Sequence, residues 1–336
     1  MYLTNEKVAV LGAAGAIGSN LAQTLLASRT ASRVAMYDPF EKGLQGAAEE
    51  LYHCAFPESE VTWTTDVGEA LTDTSYIITS GGAPRKEGMT REDLTRDNAK
   101  IAQQLGMDIA KFCPNCKLTI VIFNPADITG LTTLVYSGLP PTRVSTLAAL
   151  DSTRLQAALS QHFGLRQDRV TGCRTYGGHG EQMAVFKGGV RIDGTTLEEI
   201  LDGAQVKEIG LSADDWKRIQ DHVKGGGAKI IELRGRSSFQ SPAQQSVDML
   251  RGVLGEPYEW PCGAYVSSEE FNHIMMAMPA TLSSEGVTWK LPEGTDEDLT
   301  ALRESYNHVV SLRDQTIADG ILPPLSEWNE RNPHLG

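Results

Sequence analysis

Between residues 7 and 150 short apolar runs alternate with stretches whose apolar positions recur every three or four residues. The runs at 8–11, 33–38, 61–64, 76–79, 118–123 and 144–148 are rich in Val, Ile, Thr and Tyr and read as strands. The stretches between most of them read as helices. Strand and helix in regular alternation predict a parallel sheet covered on both faces, and six such strands make a full doubly wound (Rossmann) α/β fold. After Asp151 the pattern changes to longer helical segments mixed with hairpin-like runs. One pairs 183–186 with 190–192 across Gly188-Gly189; another sets 273–281 against 287–291 across Ser283-Ser284-Glu285-Gly286. A last long helix is expected from about Thr295, where Asp296, Glu297 and Asp298 suit its positive end. These readings predict a nucleotide-binding domain over 1–150 and a mixed α+β substrate domain over 151–336. No internal repeat is visible, which removes solenoids and propellers.

Composition narrows the function classes. With 40% hydrophobic and 22% charged residues the chain has a globular profile. Its apolar runs, such as 118–123, fall far short of the ~20 residues a membrane span needs, so a soluble chain is expected. A net charge of −13 argues against a nucleic-acid partner, because a phosphate backbone would be repelled. Five cysteines without a secretory signal predict free thiols in a reducing cytoplasm rather than a disulfide framework. Cys113 and Cys116 enclose a Pro-Asn turn with no second pair, so no metal site is expected there.

The first strand runs straight into Gly12-Ala-Ala-Gly15-Ala-Ile-Gly18, after which Ile17, Leu21 and Leu25 mark one helix face. Glycines at this junction let the backbone turn tightly and approach a pyrophosphate, while the helix N-terminus offers unpaired N–H groups to the anion. Asp38 follows 20 residues after Gly18, at the end of the second strand. A carboxylate there can accept hydrogen bonds from adenosine ribose hydroxyls and repel a 2′-phosphate, which predicts NAD rather than NADP. The plainer alternative is that Asp38 merely opens the turn before Pro39.

Reduction of an α-keto acid needs a proton donor, a cation to polarise the carbonyl and a clamp for the carboxylate. His179 sits in Gly177-Gly178-His179-Gly180 after an expected strand. Asp151 and Arg154 stand one helical turn apart after the sixth strand, and Arg85 and Arg91 bracket a short polar segment with the makings of a lid. Taken singly each is unremarkable: a surface histidine, a helix-start ion pair, a charged loop. All of them follow the carboxyl ends of expected strands, where open α/β sheets bind ligands.

These segments, with Ala83–Arg91, Asn124-Pro-Ala-Asp127 and Leu150–Arg154, resemble in order and separation the malate branch of the lactate/malate dehydrogenase family over essentially the full chain. The resemblance implies reversible hydride transfer between malate/oxaloacetate and NAD/NADH, with His179 as acid/base and Asp151 orienting it. Arg91 would polarise the carbonyl and Arg154 would clamp the C1 carboxylate. Asn124 would touch substrate and nicotinamide; Gly12, Gly15, Ile17, Gly18, Asp38 and Asn98 would hold the cofactor, with Ser80 to Gly82 on its adenosine side. Arg85 would pair with the distal carboxylate, where lactate enzymes place a glutamine. A homodimer or homotetramer and a place in the tricarboxylic acid cycle are also implied. Three residues depart from the family pattern: Glu181 for aspartate, Glu87 for proline and Arg236 for glycine. Other readings stay open at this point: a lactate or branched hydroxy-acid enzyme, a metal-dependent NAD glycosidase, and a non-catalytic NAD-binding protein.

Overall fold

The computed structural model describes residues 1–83 and 90–335, apart from the side chain of Arg91. The first half runs β1 (Thr4–Leu11), α1 (Ala16–Ala27), β2 (Ala31–Tyr37), α2 (Glu41–His53), β3 (Glu60–Thr64), α3 (Val67–Leu71), β4 (Thr74–Thr79), α4 (Arg91–Phe112), β5 (Leu118–Val121), α5 (Ala126–Ser137) and β6 (Val144–Leu147). All six expected strands are present and pair in parallel, in the order β3-β2-β1-β4-β5-β6. The period-two alternation within β1 explains why both faces are covered. Val8 and Val10 enter one core with Leu21 and Leu25 of α1, whereas Ala9 and Leu11 enter the other with Ile109 of α4 and Leu134 of α5.

The second half comprises α6 (Ala149–His162), β7 (Val170–Thr171), β8 (Arg174–Tyr176), β9 (Ala184–Phe186), β10 (Arg191–Ile192), β11 (Thr195–Thr196), α7 (Leu197–Leu201), α8 (Ala213–Arg234), α9 (Gln240–Val253), β12 (Cys262–Val266), β13 (Ile274–Met278), β14 (Ala280–Ser283), β15 (Gly286–Trp289), α10 (Asp296–Ala318) and α11 (Trp328–Arg331). Two expectations need correction. The run at 183–186 pairs with β8, while β10 joins β7 and β11. The run at 273–281 breaks at Pro279: β13 extends the main sheet antiparallel to β12, which itself pairs with β6, and only β14 forms the hairpin with β15. The sheet thus has eight strands, two of them from the second half of the chain. The final helix starts as expected: Thr295 Oγ1 accepts the Asp298 N–H and Asp298 Oδ2 accepts the Thr295 N–H. Among the described residues no helix is long and apolar enough to cross a membrane, and no cluster of His, Cys, Asp and Glu could hold a metal ion.

Candidate active site

At the carboxyl end of β1 the chain turns sharply. Gly12 has φ +83°, and a Cβ there would stand 2.7 Å from the Gly81 backbone that follows β4. A Cβ on Gly18 would collide with the Gly12 carbonyl. These glycines let two loops and a helix meet by backbone alone. Gly15 precedes α1 without any side-chain cap, so the first N–H groups of the helix remain for an anion. Ile17 is half-buried against the core beneath them. Asp38 stands immediately after β2: Oδ2 accepts the Ala14 N–H at 3.2 Å, and Oδ1 accepts the Phe40 N–H at 2.9 Å across the turn at Pro39. Its carboxylate is tied to the glycine turn while staying half-exposed. A cradle without side chains, an uncapped helix start and an acid beside them fit a dinucleotide of the NAD type.

Asn98 is buried on α4 and spends its amide on the protein. Oδ1 accepts the Ala83 N–H at 2.7 Å, and Nδ2 donates to the Asn124 and Ala83 carbonyls at 2.6 and 3.3 Å. It ties the loop after β4 to the turn at Asn124, whose bond to Pro125 is cis. Asn124 itself is exposed at the carboxyl end of β5.

Four elements converge on the segment that carries His179. Gly177, at φ +84°, exchanges two backbone hydrogen bonds with Ala277 of β13, at 2.9 and 2.8 Å. The Gly178 N–H donates to Ser305 Oγ of α10 at 2.9 Å, and the His179 N–H donates to Asp127 Oδ2 of α5 at 2.8 Å. The ring then meets α6, where Nδ1 donates to Asp151 Oδ2 at 2.7 Å. The other oxygen of Asp151 accepts Arg154 Nη1, also at 2.7 Å. Asp151 is nearly inaccessible, with 5% of its side chain exposed, against 28% for His179 and 22% for Arg154, so the acid is buried and both of its partners reach the opening.

The electrostatics follow from this arrangement. The Asp151 charge, opposed by burial and aided by its hydrogen bond and by Asp127, pushes His179 up to about 9. Burial alone would raise Asp151, yet the His179 and Arg154 charges hold its carboxyl below the usual range. For Asp127 burial prevails: it pushes the carboxyl up to about 6, against the lowering effects of the His179 N–H and the His179 charge.

His179, Asp151 and Arg154 are thus brought together. Arg85 and Glu87 lie outside the described residues; Arg91 opens α4 behind its cap Thr90, and its side chain is likewise outside them. Arg236 lies over the Phe239 ring at 4.6 Å, beside Arg234 at the same distance. Sequence reasoning gave no role to Asp127 or Ser305. Asp127 carried a signal, an acid in the first turn of a helix after a strand, but so do many acids that merely face a helix dipole. Ser305 carried none.

Comparison with known proteins agrees with this geometry. Residues 6–146 match the lactate/malate dehydrogenase NAD binding domain and residues 148–307 match the α/β C-terminal domain of the same family. The malate dehydrogenase of Anaplasma marginale is 30% identical over 290 residues, covering 84% of this chain and 89% of that protein. The crystal structure of Cryptosporidium parvum malate dehydrogenase superposes with a TM-score of 0.84 at 26% identity, over 94% of this chain and 100% of that one. The lactate dehydrogenase of the same organism, solved with lactic acid and NAD, gives 0.83 at 26% identity, over 93% and 98%. Backbone similarity therefore does not separate the two substrates. The chain belongs to the lactate/malate dehydrogenase family and is an NAD-dependent oxidoreductase of 2-hydroxy acids.

Proposed function

We propose that this enzyme interconverts malate and oxaloacetate, with His179 as the acid/base. The observation that carries the reading is the single buried carboxylate of Asp151, which holds His179 with one oxygen and Arg154 with the other. One group thereby fixes the distance between a proton donor and a carboxylate clamp, as directional reduction of a keto acid requires. With Nδ1 committed to Asp151, Nε2 is the atom left to give its proton to the forming alkoxide, and to take it back in the reverse direction. Arg154 offers a planar fork matched to the C1 carboxylate. Gly12, Gly15, Gly18 and Asp38 would hold NAD, which when bound supplies or accepts the hydride. Arg91 is assigned to polarise the carbonyl, Asn124 to touch substrate, and Asn98 to shape the cofactor loop through its three hydrogen bonds.

Arg85 carries the choice of malate over lactate, because a second cation offers a partner for a distal carboxylate that pyruvate lacks. We assign residues 1–150 to the nucleotide and 151–336 to the substrate, and place the enzyme in the cytoplasm as a homo-oligomer of the tricarboxylic acid cycle. The deciding experiment is an initial-rate comparison with NADH and either oxaloacetate or pyruvate. A kcat/KM for oxaloacetate greater by roughly 10²-fold or more is expected. Equal constants, or a preference for pyruvate, would overturn the assignment to malate.

A further inference from the structure

Helix α8 carries Gly225-Gly226-Gly227 in its interior, although each interior glycine weakens a helix relative to alanine. The three positions are not equivalent. Gly225 is exposed, and a Cβ there would meet nothing within 4 Å. Gly226 is buried, and a Cβ there would stand 2.8 Å from Cδ and 3.0 Å from Nε of Arg154. A Cβ on Gly227 would only reach Arg154 Nη2, at 4.0 Å. We propose that Gly226 is a positioning residue for the reaction, its bare backbone forming the seat on which Arg154 lies and so setting where the guanidinium meets the substrate carboxylate. The inference rests on the reading of Arg154 as the carboxylate clamp.

Asp151 fixes one end of the fork by accepting Nη1 at 2.7 Å. Gly226 is the surface beneath the stem and Nε. A carbon at 2.8 Å is about 1 Å inside ordinary contact with Cδ, so something has to move. What it meets is a flexible side chain and not backbone. Alanine can therefore be accommodated with α8 intact by lifting Arg154, and the helix itself gains from losing a glycine. The cost falls on the guanidinium–carboxylate geometry, to which a bidentate pair is sensitive.

The test uses Gly226→Ala, Gly225→Ala, Arg154→Gln and the double variant Gly226→Ala/Arg154→Gln in the full-length protein. Misplacement of a positioning group by about 1 Å can cost up to ~10²-fold in rate. Gly226→Ala is expected to lower kcat/KM for oxaloacetate by about 10- to 100-fold, mainly through KM. It should bind NADH normally in a fluorescence titration and melt no lower than the wild type. Gly225→Ala should keep wild-type kinetics. With Arg154→Gln already in place, Gly226→Ala should add nothing, because its target is gone. A wild-type KM for Gly226→Ala, an equal loss in both backgrounds, or a marked fall in melting temperature would overturn the seat. If Arg154→Gln alone left KM unchanged, the clamp reading itself would fail, which is a different result from Arg154→Gln raising KM while Gly226→Ala does not.

Discussion

Around Gly12 the cleft is made of backbone. Loops after β1 and β4 approach so closely that a single Cβ would separate them, and the helix start beside them carries no capping side chain. Around His179 it is made of side chains: one buried acid binds an imidazole and a guanidinium, and a second acid accepts the backbone N–H of the histidine. The contrast fits the two ligands proposed for these ends. A pyrophosphate asks only for N–H groups at close range, which backbone supplies without any ionisable group. A keto acid asks for a proton that can be moved and a charge that can be matched, which only side chains provide. Damage at the first end is therefore steric and insensitive to pH, whereas damage at the second is electrostatic and graded.

The largest effect should come from His179→Asn. On the proposed role of His179 as proton donor, kcat should fall by roughly 10²- to 10⁴-fold while NADH binding is kept, because the glycine cradle is built without His179. Stopped-flow turnover and a fluorescence titration of NADH measure the two separately; near-normal turnover would remove His179 from its role. Arg85→Gln is expected to come next. Truncating one partner of a buried charged pair costs roughly 2–5 kcal/mol, so kcat/KM for oxaloacetate should fall by about 30-fold to several-thousand-fold. Pyruvate, with a methyl in that place, should lose nothing comparable. Equal losses on both substrates would make Arg85 a structural residue and return lactate to consideration.

The difference in material also decides what could be read from the sequence. The glycine turn announces itself through spacing, since the constraint is local: strand, turn and helix all lie between Thr4 and Ala27, and Asp38 closes the same unit. His179, Asp151 and Arg154 were legible as candidates because the chemistry demands their types and all follow strand ends. Their mutual geometry was not, because it depends on Gly177 pairing with Ala277 and Gly178 reaching Ser305, contacts spanning 100 residues or more of chain. The pairing of β9 with β8, and the capture of β12 and β13 by the main sheet, were missed for a related reason. Strands of two or three residues carry no register signal, and a fully buried run such as Ile274–Met278 has no polar alternation to say which sheet it joins. Gly226 was overlooked although three adjacent glycines inside a helical pattern are costly, because the side chain that explains them belongs to α6.

Acidity gives the next test of the contrast. His179, raised from an ordinary value near 6.5 to about 9 chiefly by the charge of Asp151, is the proposed proton donor in reduction and acceptor in oxidation. Oxaloacetate reduction should stay flat through neutral pH and fall about tenfold per unit above 9, while malate oxidation should rise about tenfold per unit up to 9. The sign for stability follows from linkage. A raised histidine contributes in full below about 6.5 and loses its contribution as pH climbs through 9, so His179→Asn should flatten the decline of melting temperature over that window. Asp151→Asn should move the kinetic limb downward, toward about 6.5 or below. A limb left at 9 in that variant would show that some other group raises His179. Nucleotide binding should follow none of these limbs.

The smallest effect is expected at Asp38, and it bears most directly on the backbone side of the contrast, because Asp38 is a charged side chain tied to the glycine turn. Its two oxygens accept N–H groups of Ala14 and Phe40, and the remaining lone pairs face outward from a half-exposed position. Asp38→Ser keeps a hydroxyl able to satisfy one of those N–H groups but removes the negative charge. Loss of a charged hydrogen bond to a ribose hydroxyl in a partly solvated place costs about 1–2 kcal/mol, and a 2′-phosphate would no longer meet a like charge. The ratio of kcat/KM for NADH over NADPH should therefore fall about tenfold or somewhat more, since 1.4 kcal/mol corresponds to one factor of ten. Oxaloacetate KM, read at saturating NADH, should not move. An unchanged cofactor ratio would leave Asp38 as the opener of the Pro39 turn alone, and selection between the two nucleotides would then have to come from backbone or from a residue elsewhere on the cleft.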